Sequence, residues 1–544
     1  MTTTRIGTSH HSLTDSFTLV ENNYFDRCNG EVEIISVKSG KNRLVNNTFF
    51  ESRGTLTLRH GNGNIVENNV FWGNGVDHTG GIRVINKQQV IRNNYLEGLT
   101  GYRFGSGFTV MNGVPNSSIN RYHQVDGALI ENNSFINVEH IQLAAGSDDE
   151  RSAVPINSKI QNNLIINENG KQPFTLFDDI SGINFKGNIS NTKALDLLTS
   201  GIKQQPIKLQ RAKNSLYYPV GKTIGVDKSI LPIDKNATGP TWYKKPTEEV
   251  AFGSGKTITV KANGNALIAA IKKSKNGDVL ALENGHFDVT KIIKIDKVIT
   301  LKAKSSKKAL LTFERGTLFE IVDGGSLKID GLSISGRNSP DSSGNTLIRT
   351  KKWGMTENYR FIMHNSSISQ LNINHSFHFF DSGNGAFANL IELKNNQFSY
   401  ISGDVIRLNK EIEDQGIYNA EYVTLENNQF TDIAGAVAKV YRGGTDESTF
   451  GPHFIMRNNK ISNVGSGKRN KTKASLYLHG VQVTNIEDNK EVTSAPIKIE
   501  HTVGEPKTRL SLNKLSIQPL IAELHSKGPV TAILTQNEIT ELKN

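Results

Sequence analysis

Pairs of adjacent asparagines, set roughly one turn of a coil apart, constrain this chain more than any other feature. They fall at Asn22-Asn23, Asn46-Asn47, Asn68-Asn69, Asn93-Asn94, Asn132-Asn133 and Asn162-Asn163. Two places after each pair stands an apolar residue: Phe25, Phe49, Phe71, Leu96, Phe135 or Ile165. The first intervals are 24, 22 and 25 residues, and the later ones are longer. A repeat of that size, with a short strand signal on either side, indicates a parallel β-solenoid whose coils bury their apolar faces on one another. Stacked Asn side chains at a turn satisfy one another's amides, and the residue two places on points inward. The expected fold class is therefore all-β, built from right-handed parallel β-helix coils.

The series stops near Asn191. Residues 192–250 are irregular and carry Pro206, Pro219, Pro232, Pro240 and Pro246, which reads as a linker or an ordered strap. Apolar residues then recur at helical spacing over Asn265–Lys275, suited to a cap on the open end of a solenoid. A second ladder follows at Asn395-Asn396, Asn427-Asn428 and Asn458-Asn459, with weaker echoes at Asp488-Asn489 and Asn513. Two β-helices are expected, over 1–191 and 251–544, the second with its own capping helix. At 544 residues the chain exceeds one ordinary core, and stacked repeats escape that limit.

A formal net charge of +11 calls for an anionic partner. Nucleic acid, an anionic membrane and an acidic polysaccharide all qualify; no RNA- or DNA-reading motif is visible, so nucleic acid is the weaker choice. No apolar run of about 18 residues exists, so no membrane span is expected. Cys28 is the single cysteine, which excludes an intrachain disulfide. The first residues, M-T-T-T-R-I-G-T-S, lack the apolar core of a signal peptide; taken literally, the chain stays in the cytoplasm.

Two strand-like stretches hold the candidate chemistry: N-G-E-V-E-I-I-S-V-K-S at Asn29–Ser39 and G-T-L-T-L-R-H-G at Gly54–Gly61. Strict alternation puts Glu31, Glu33 and Ile35 on one face of the first. Alone, E-x-E is an ordinary solvated acidic face. Two carboxylates so placed repel unless a cation lies between them, and hard oxygen donors without Cys or clustered His favour Ca²⁺ over zinc. On the next coil the same alternation separates Thr55, Thr57 and Arg59 from Leu56, Leu58 and His60. Lys38 and Arg59 are 21 residues apart, close to one coil, so they can flank a single sugar ring stacked across coils about 4.8 Å apart. Arg83 lies 24 residues beyond Arg59, and such a column of cations suits a chain of carboxylates.

The segment from Arg5 to about Asn163 closely resembles polysaccharide lyase family 6, the chondroitinase-B/alginate lyase family. The resemblance rests on R-I-G-T-S at Arg5–Ser9, G-E-V-E-I-I-S-V-K-S at Gly30–Ser39, L-T-L-R-H-G at Leu56–Gly61, G-G-I-R at Gly80–Arg83 and N-R-Y-H-Q-V at Asn120–Val125. The second β-helix looks like the C-terminal domain of the family's two-domain alginate lyases. The resemblance implies Ca²⁺-assisted β-elimination on a uronic-acid polymer, with alginate as substrate, exolytic action and a guluronate preference. By match, Glu31 and Glu33 would be the Ca²⁺ ligands, Lys38 the base that takes the C5 proton, and Arg59 the acid that protonates the leaving O4. His60, Arg83, Arg5 and Arg121 match substrate-contacting positions.

Members of that family carry a signal peptide, a capping helix and several coils before R-I-G-T-S, including an Asn that completes the calcium site. Here that position falls at or before Met1. The expectation is an N-terminally truncated product that binds Ca²⁺ weakly and has little activity, from a family that works in the periplasm or outside the cell. The alternatives are a dermatan sulfate (chondroitin B) lyase and a non-catalytic polysaccharide-binding β-helix. The second β-helix has no copy of the E-x-E, Lys and Arg-His set. Its G-D-V-I-R-L-N-K at Gly403–Lys410 lacks paired carboxylates, and His375, His378 and Phe379–Phe380 read as core or turn residues. Support, a wall at the substrate's end, or the contact of a homodimer is the role expected of it.

Overall fold

The computed structural model describes residues 3–540 apart from 30, 194, 199, 240–248, 414–415, 445–450, 503, 505 and 525–530. Two compact units divide the chain, Met1–Lys245 and Pro246–Asn544. Each is a stack of coils in which three parallel sheets run along the stack.

In the first unit the sheets hold 7, 7 and 8 strands, and each coil contributes one strand to each. The asparagine pairs mark the turn between the second and third sheets. The first Asn of each pair takes a left-handed backbone, at φ 56° for Asn22 and 55° for Asn46. A short polar side chain tolerates that conformation better than most L-residues do. The second Asn turns inward, and its Nδ2 donates to the Oδ1 of its counterpart one coil on. The ladder runs Asn23, Asn47, Asn69, Asn94, Asn133, Asn163, Asn188, with every step at 2.9–3.0 Å. Each of these Oδ1 atoms also accepts from the preceding coil's main-chain N–H, for example Asn47 N to Asn69 Oδ1 at 2.9 Å. Buried amides are thereby satisfied down the whole stack. Beside them Phe25, Phe49 and Phe71 stack face to face with centroids 4.6 and 4.4 Å apart. Each such buried ring contributes about 1.5–3 kcal/mol.

Much of 192–250 is ordered. Ile202–Gln204 extends the third sheet beside Asn188–Ser190, and Leu209–Arg211 pairs antiparallel with Tyr217–Pro219. Leu216, Tyr218, Val226 and Ile230 then cover Val70, Tyr95, Ile136 and Leu164 on the outside of that sheet. Hydrogen bonds pin this strap coil by coil: Tyr217 N to Tyr95 Oη at 3.0 Å, Val226 N to Ser134 Oγ at 3.0 Å and Ile233 N to Thr48 Oγ1 at 2.8 Å. Pro240 and Pro246 lie outside the described residues.

The second unit opens with a helix over Gly264–Lys273, where sequence spacing suggests Asn265–Lys275. Asn263 caps it, its side chain accepting from the N–H groups of Asn265 and Ala266 at 2.9 and 3.1 Å. Leu267 and Ile271, one turn apart, enter the core of the first coils. Gly264 is required by close approach, because a Cβ there would lie 1.7 Å from the Asp288 carbonyl oxygen. Three parallel sheets of 11, 10 and 9 strands follow. Asn396, Asn428, Asn459, Asn489, Asn513 and Asn537 repeat the ladder at 2.9–3.0 Å, so the weaker echoes at Asn489 and Asn513 are full members of it. Among the described residues no helix is long and apolar enough to cross a membrane.

Candidate active site

The candidate residues gather on the outer face of the first sheet of the first unit. Its successive strands include Thr4–Ile6, Glu33–Lys38, Gly54–His60, Thr79–Val84 and Phe108–Met111. Two irregularities decide which side chains face out. Glu33 pairs with Thr55 but Ile35 pairs with Leu56, so the Glu33 strand carries an extra residue there. Ile34, Ile35 and Val37 all enter the core as a result, which differs from the strict alternation that would place Ile35 beside the carboxylates. A second shift lies between Ser36, paired with Thr57, and Lys38, paired with His60. It gives the Gly54–His60 strand an extra residue around Arg59. Arg59 and His60 therefore both reach the site, although alternation assigns them to opposite faces. Bulges of this kind re-aim side chains beside functional sites.

Glu33 is the centre of the arrangement, at 4% exposure. Its Oε1 accepts from Arg59 Nη1 at 2.7 Å and from Arg83 Nη2 at 2.5 Å. Burial alone would raise its pKa, but Arg83 and Arg59 outweigh burial and hold the carboxyl below the usual carboxylate range. Arg83, expected to line the groove, is instead buried at 1% exposure. It lies behind Glu33 with its guanidinium 5.2 Å from the Phe104 ring centre. Among the described residues its Nε and Nη1 find no hydrogen-bond acceptor. Arg59 is more open and sits 5.6 Å from the Tyr122 ring centre.

Lys38, at the end of its strand, is half-buried. Burial first, then the charge of Arg59, lowers its pKa from the ordinary lysine value; Arg5 adds a smaller push in the same direction. Arg5 is exposed, one coil before Ser36 in the sheet. His60 is buried, and burial together with Arg59 and Lys38 brings it down to about 4, so the ring is neutral at working pH. Among the described residues its Nδ1 has no hydrogen-bond partner, nor has Nε2 of the nearby His123, whose pKa burial also lowers. Glu31 stands just before the strand and is half-buried.

Arg121 departs from the expected placement: it forms an ion pair with Glu150 in an exposed loop. Its neighbours Tyr122 and His123 are the residues of N-R-Y-H-Q-V that turn toward the site. Ile85, Met111 and Ala145, flanked by Phe104 and Tyr122, form a small apolar cluster outside the main core. Sequence reasoning missed Phe104, Tyr122 and His123 because they lie in long inter-strand segments without periodicity. The aromatic-histidine pair inside N-R-Y-H-Q-V was the available signal.

A lysine of lowered pKa thus stands across one coil from a partly exposed arginine, beside a buried carboxylate that fixes two guanidiniums. A family model described as Chondroitinase B matches residues 1–230. Among solved structures the chain is similar to the polysaccharide lyase family 6 alginate lyase AlyGC, with 58% sequence identity and a TM-score of 0.87. That match covers 98% of this chain and 74% of AlyGC. An arginine-to-alanine variant of AlyGC gives the same values. No match was found among curated proteins. The chain belongs to polysaccharide lyase family 6 and is a polysaccharide lyase.

Proposed function

We propose that this chain cleaves alginate by β-elimination on the first sheet of its first unit. The observation that carries the reading is Lys38: an amine held toward its neutral form by burial and by Arg59, facing an arginine one coil away. Neutral Lys38 Nζ takes the C5 proton of a uronate. The electron pair left on C5 forms the C4–C5 double bond, the C4–O4 bond breaks, and Arg59 supplies the proton to the departing O4. Glu33 orients Arg59 and, through Arg83, is itself held in place. His60, neutral, offers a ring nitrogen for substrate hydroxyls, and Arg5 adds cationic attraction at the open edge. The burial of Arg83 supports reading it as a positioning residue in place of a substrate contact.

Calcium suits the donor chemistry. Glu31 and Glu33 supply hard oxygens two residues apart, and both guanidinium contacts to Glu33 fall on Oε1. Among the described residues no group of three or more His, Cys, Asp and Glu could hold an ion, so main-chain oxygens and water would complete a shell, as Ca²⁺ allows. When bound, the ion neutralises the uronate carboxylate and thereby acidifies the adjacent C–H. The same reading carries exolytic action, a guluronate preference and export to the polymer's compartment, as the family resemblance implies.

The test is the ultraviolet absorbance of unsaturated uronate when the chain is incubated with alginate and Ca²⁺. Lys38→Ala should lower turnover by about 10²–10⁴-fold, the usual contribution of a positioned base. Undiminished turnover in that variant would overturn the assignment. Product sizes from guluronate- and mannuronate-rich blocks decide the mode and preference.

A further inference from the structure

Counted from the asparagine turn, the second unit has a sheet equivalent to the catalytic one. In both units the coil order is a strand, the Asn turn, a second strand, then a strand in the remaining sheet. In the first unit that remaining sheet carries Glu33, Lys38, Arg59 and Arg83. In the second it comprises nine strands, among them His378–Asp381, Ile406–Leu408, Ala438–Tyr441, Leu476–His479 and Ile497–His501. Its outer face is not an ordinary solvated surface. Strand register lines up Arg349, Asp381, Arg407, Lys439, Tyr477 and Lys498 in one column, one residue per coil. A parallel column pairs Tyr441 with His479, whose rings stack 4.0 Å apart at 6°.

The charges in this column are partly withdrawn from water, and most are closely paired, Arg349 with Glu320 at 2.5 Å and Lys498 with Glu500 at 3.0 Å. Asp404, beside the column, takes Lys439 Nζ at 2.9 Å and the Ala436 N–H at 2.8 Å. Arg407 and Lys410 approach Asp381 Oδ2 at 3.5 and 3.7 Å, longer than a good charge-assisted hydrogen bond. Among the described residues Asp381 Oδ1 and Asn409 Oδ1 are buried with no donor, and burial pushes the Asp381 carboxyl up. His378 accepts the Asp404 N–H at Nδ1 and stays neutral, with burial holding its pKa near 3. Arg407 and Lys410 thus share one carboxylate oxygen at long range, and Arg407 reaches Asp404 Oδ2 only at 3.8 Å. A uronate carboxylate offers these two part-exposed cations a closer anion, and Lys498 lies three coils further along the same column for the next charges of a polymer.

We propose that this face of the second unit is a non-catalytic binding site for uronate oligosaccharides, centred on Arg407 and Lys410. Among the described residues no half-buried lysine of lowered pKa like Lys38 stands there, so the proposed site retains polymer without cleaving it. The inference rests on the reading of the substrate as a uronate polymer.

Its test uses the full chain with Lys38→Ala, titrated calorimetrically with a purified alginate tetrasaccharide and, as control, a neutral tetrasaccharide. Adding Arg407→Ala and Lys410→Ala should remove one binding component, or weaken it about tenfold where it is the sole one. Lys498→Ala, at the partly exposed end of the column, should weaken the same component severalfold and covers the case in which the double change impairs folding. Binding unchanged in both variants overturns the site, and equal binding of the neutral tetrasaccharide overturns the ligand class. A failure of the cleavage reading shows separately, as absence of unsaturated product from the unmodified chain.

Discussion

The sheet that carries Lys38 and its counterpart in the second unit are built from the same coil and differ in how their charges are grouped. On the first sheet one buried carboxylate, Glu33, holds two guanidiniums beside the half-buried Lys38. On the second, cations and carboxylates are mixed along the coils, and Asp381 and Asp404 each approach two cations. The first sheet thus gathers positive charge around a lysine of lowered pKa, which suits a proposed site where negative charge develops. The second spreads its charges along the stack, which suits the proposed retention of a polyanion.

A pair of buried carboxylates puts that contrast under the most strain. Glu33 gathers Arg59 and Arg83; Asp404 gathers Lys439 and, more loosely, Arg407. Removing either negative charge leaves buried cations unmatched, at a cost of about 3–5 kcal/mol. Glu33→Gln and Asp404→Asn should therefore lower thermal stability to a similar degree. Glu33→Gln should in addition abolish turnover, because Arg59 loses its orientation. Turnover assayed well below both melting temperatures separates the two effects. If Asp404→Asn abolishes turnover as well, the division between a chemical sheet and a retaining sheet fails.

The comparison extends into the cores. Glu491 stands in register with Ile461, at an inward position of the second unit, and is 2% exposed. Burial pushes its carboxyl up to about 7, against the opposing pull of Ser475 and the Ser516 main chain. The native state thus keeps a proton that the unfolded chain gives up between about pH 4.5 and 7. Stability must fall as pH rises through that window, by roughly 3 kcal/mol in total, and stay level above it. Glu491→Gln should flatten the profile: near pH 4.5 the variant melts close to the parent, and at pH 8 it melts higher. Melting curves with parallel pH dependence in the two proteins would show that Glu491 does not titrate as its surroundings dictate.

How much of this was legible in the sequence depends on whether a feature repeats. The Asn ladder and the Phe25–Phe49–Phe71 stack were readable because a turn residue that must satisfy its neighbour recurs once per coil. Glu33, Lys38 and Arg59 were readable as a set because they lie on adjacent coils with short spacing. The aim of the side chains was not, since two one-residue bulges turn Ile35 into the core and bring Arg59 and His60 to the same site. Alternation assumes a regular strand, and nothing in E-V-E-I-I-S-V-K announces an extra residue. Arg83 reads as one more groove cation, yet tertiary packing under Phe104 makes it a buried support. The column from Arg349 to Lys498 was invisible for a different reason. Coil lengths in the second unit vary, so residues that stack in space share no fixed interval, and each alone looks like a surface charge.

The smallest effect tests the electrostatics of the catalytic sheet with least disturbance to its packing. As the proposed base, Lys38 acts in its neutral form, so activity should rise with pH through the lysine's pKa and level off above it. Burial and Arg59 do most of the lowering; Arg5, exposed at the sheet's open edge, contributes a smaller Coulombic share. Arg5→Ala removes that share, raises the Lys38 pKa and moves the ascending limb of the kcat/KM profile toward higher pH. A contact with substrate alone would lower kcat/KM without displacing the limb. Because Arg5 is exposed, added salt already screens it, and the displacement between parent and variant should shrink between about 0.01 and 1 M ionic strength. A limb that stays in place at low salt would leave burial and Arg59 as the causes of the lysine's low pKa and remove Arg5 from the machinery of the first sheet.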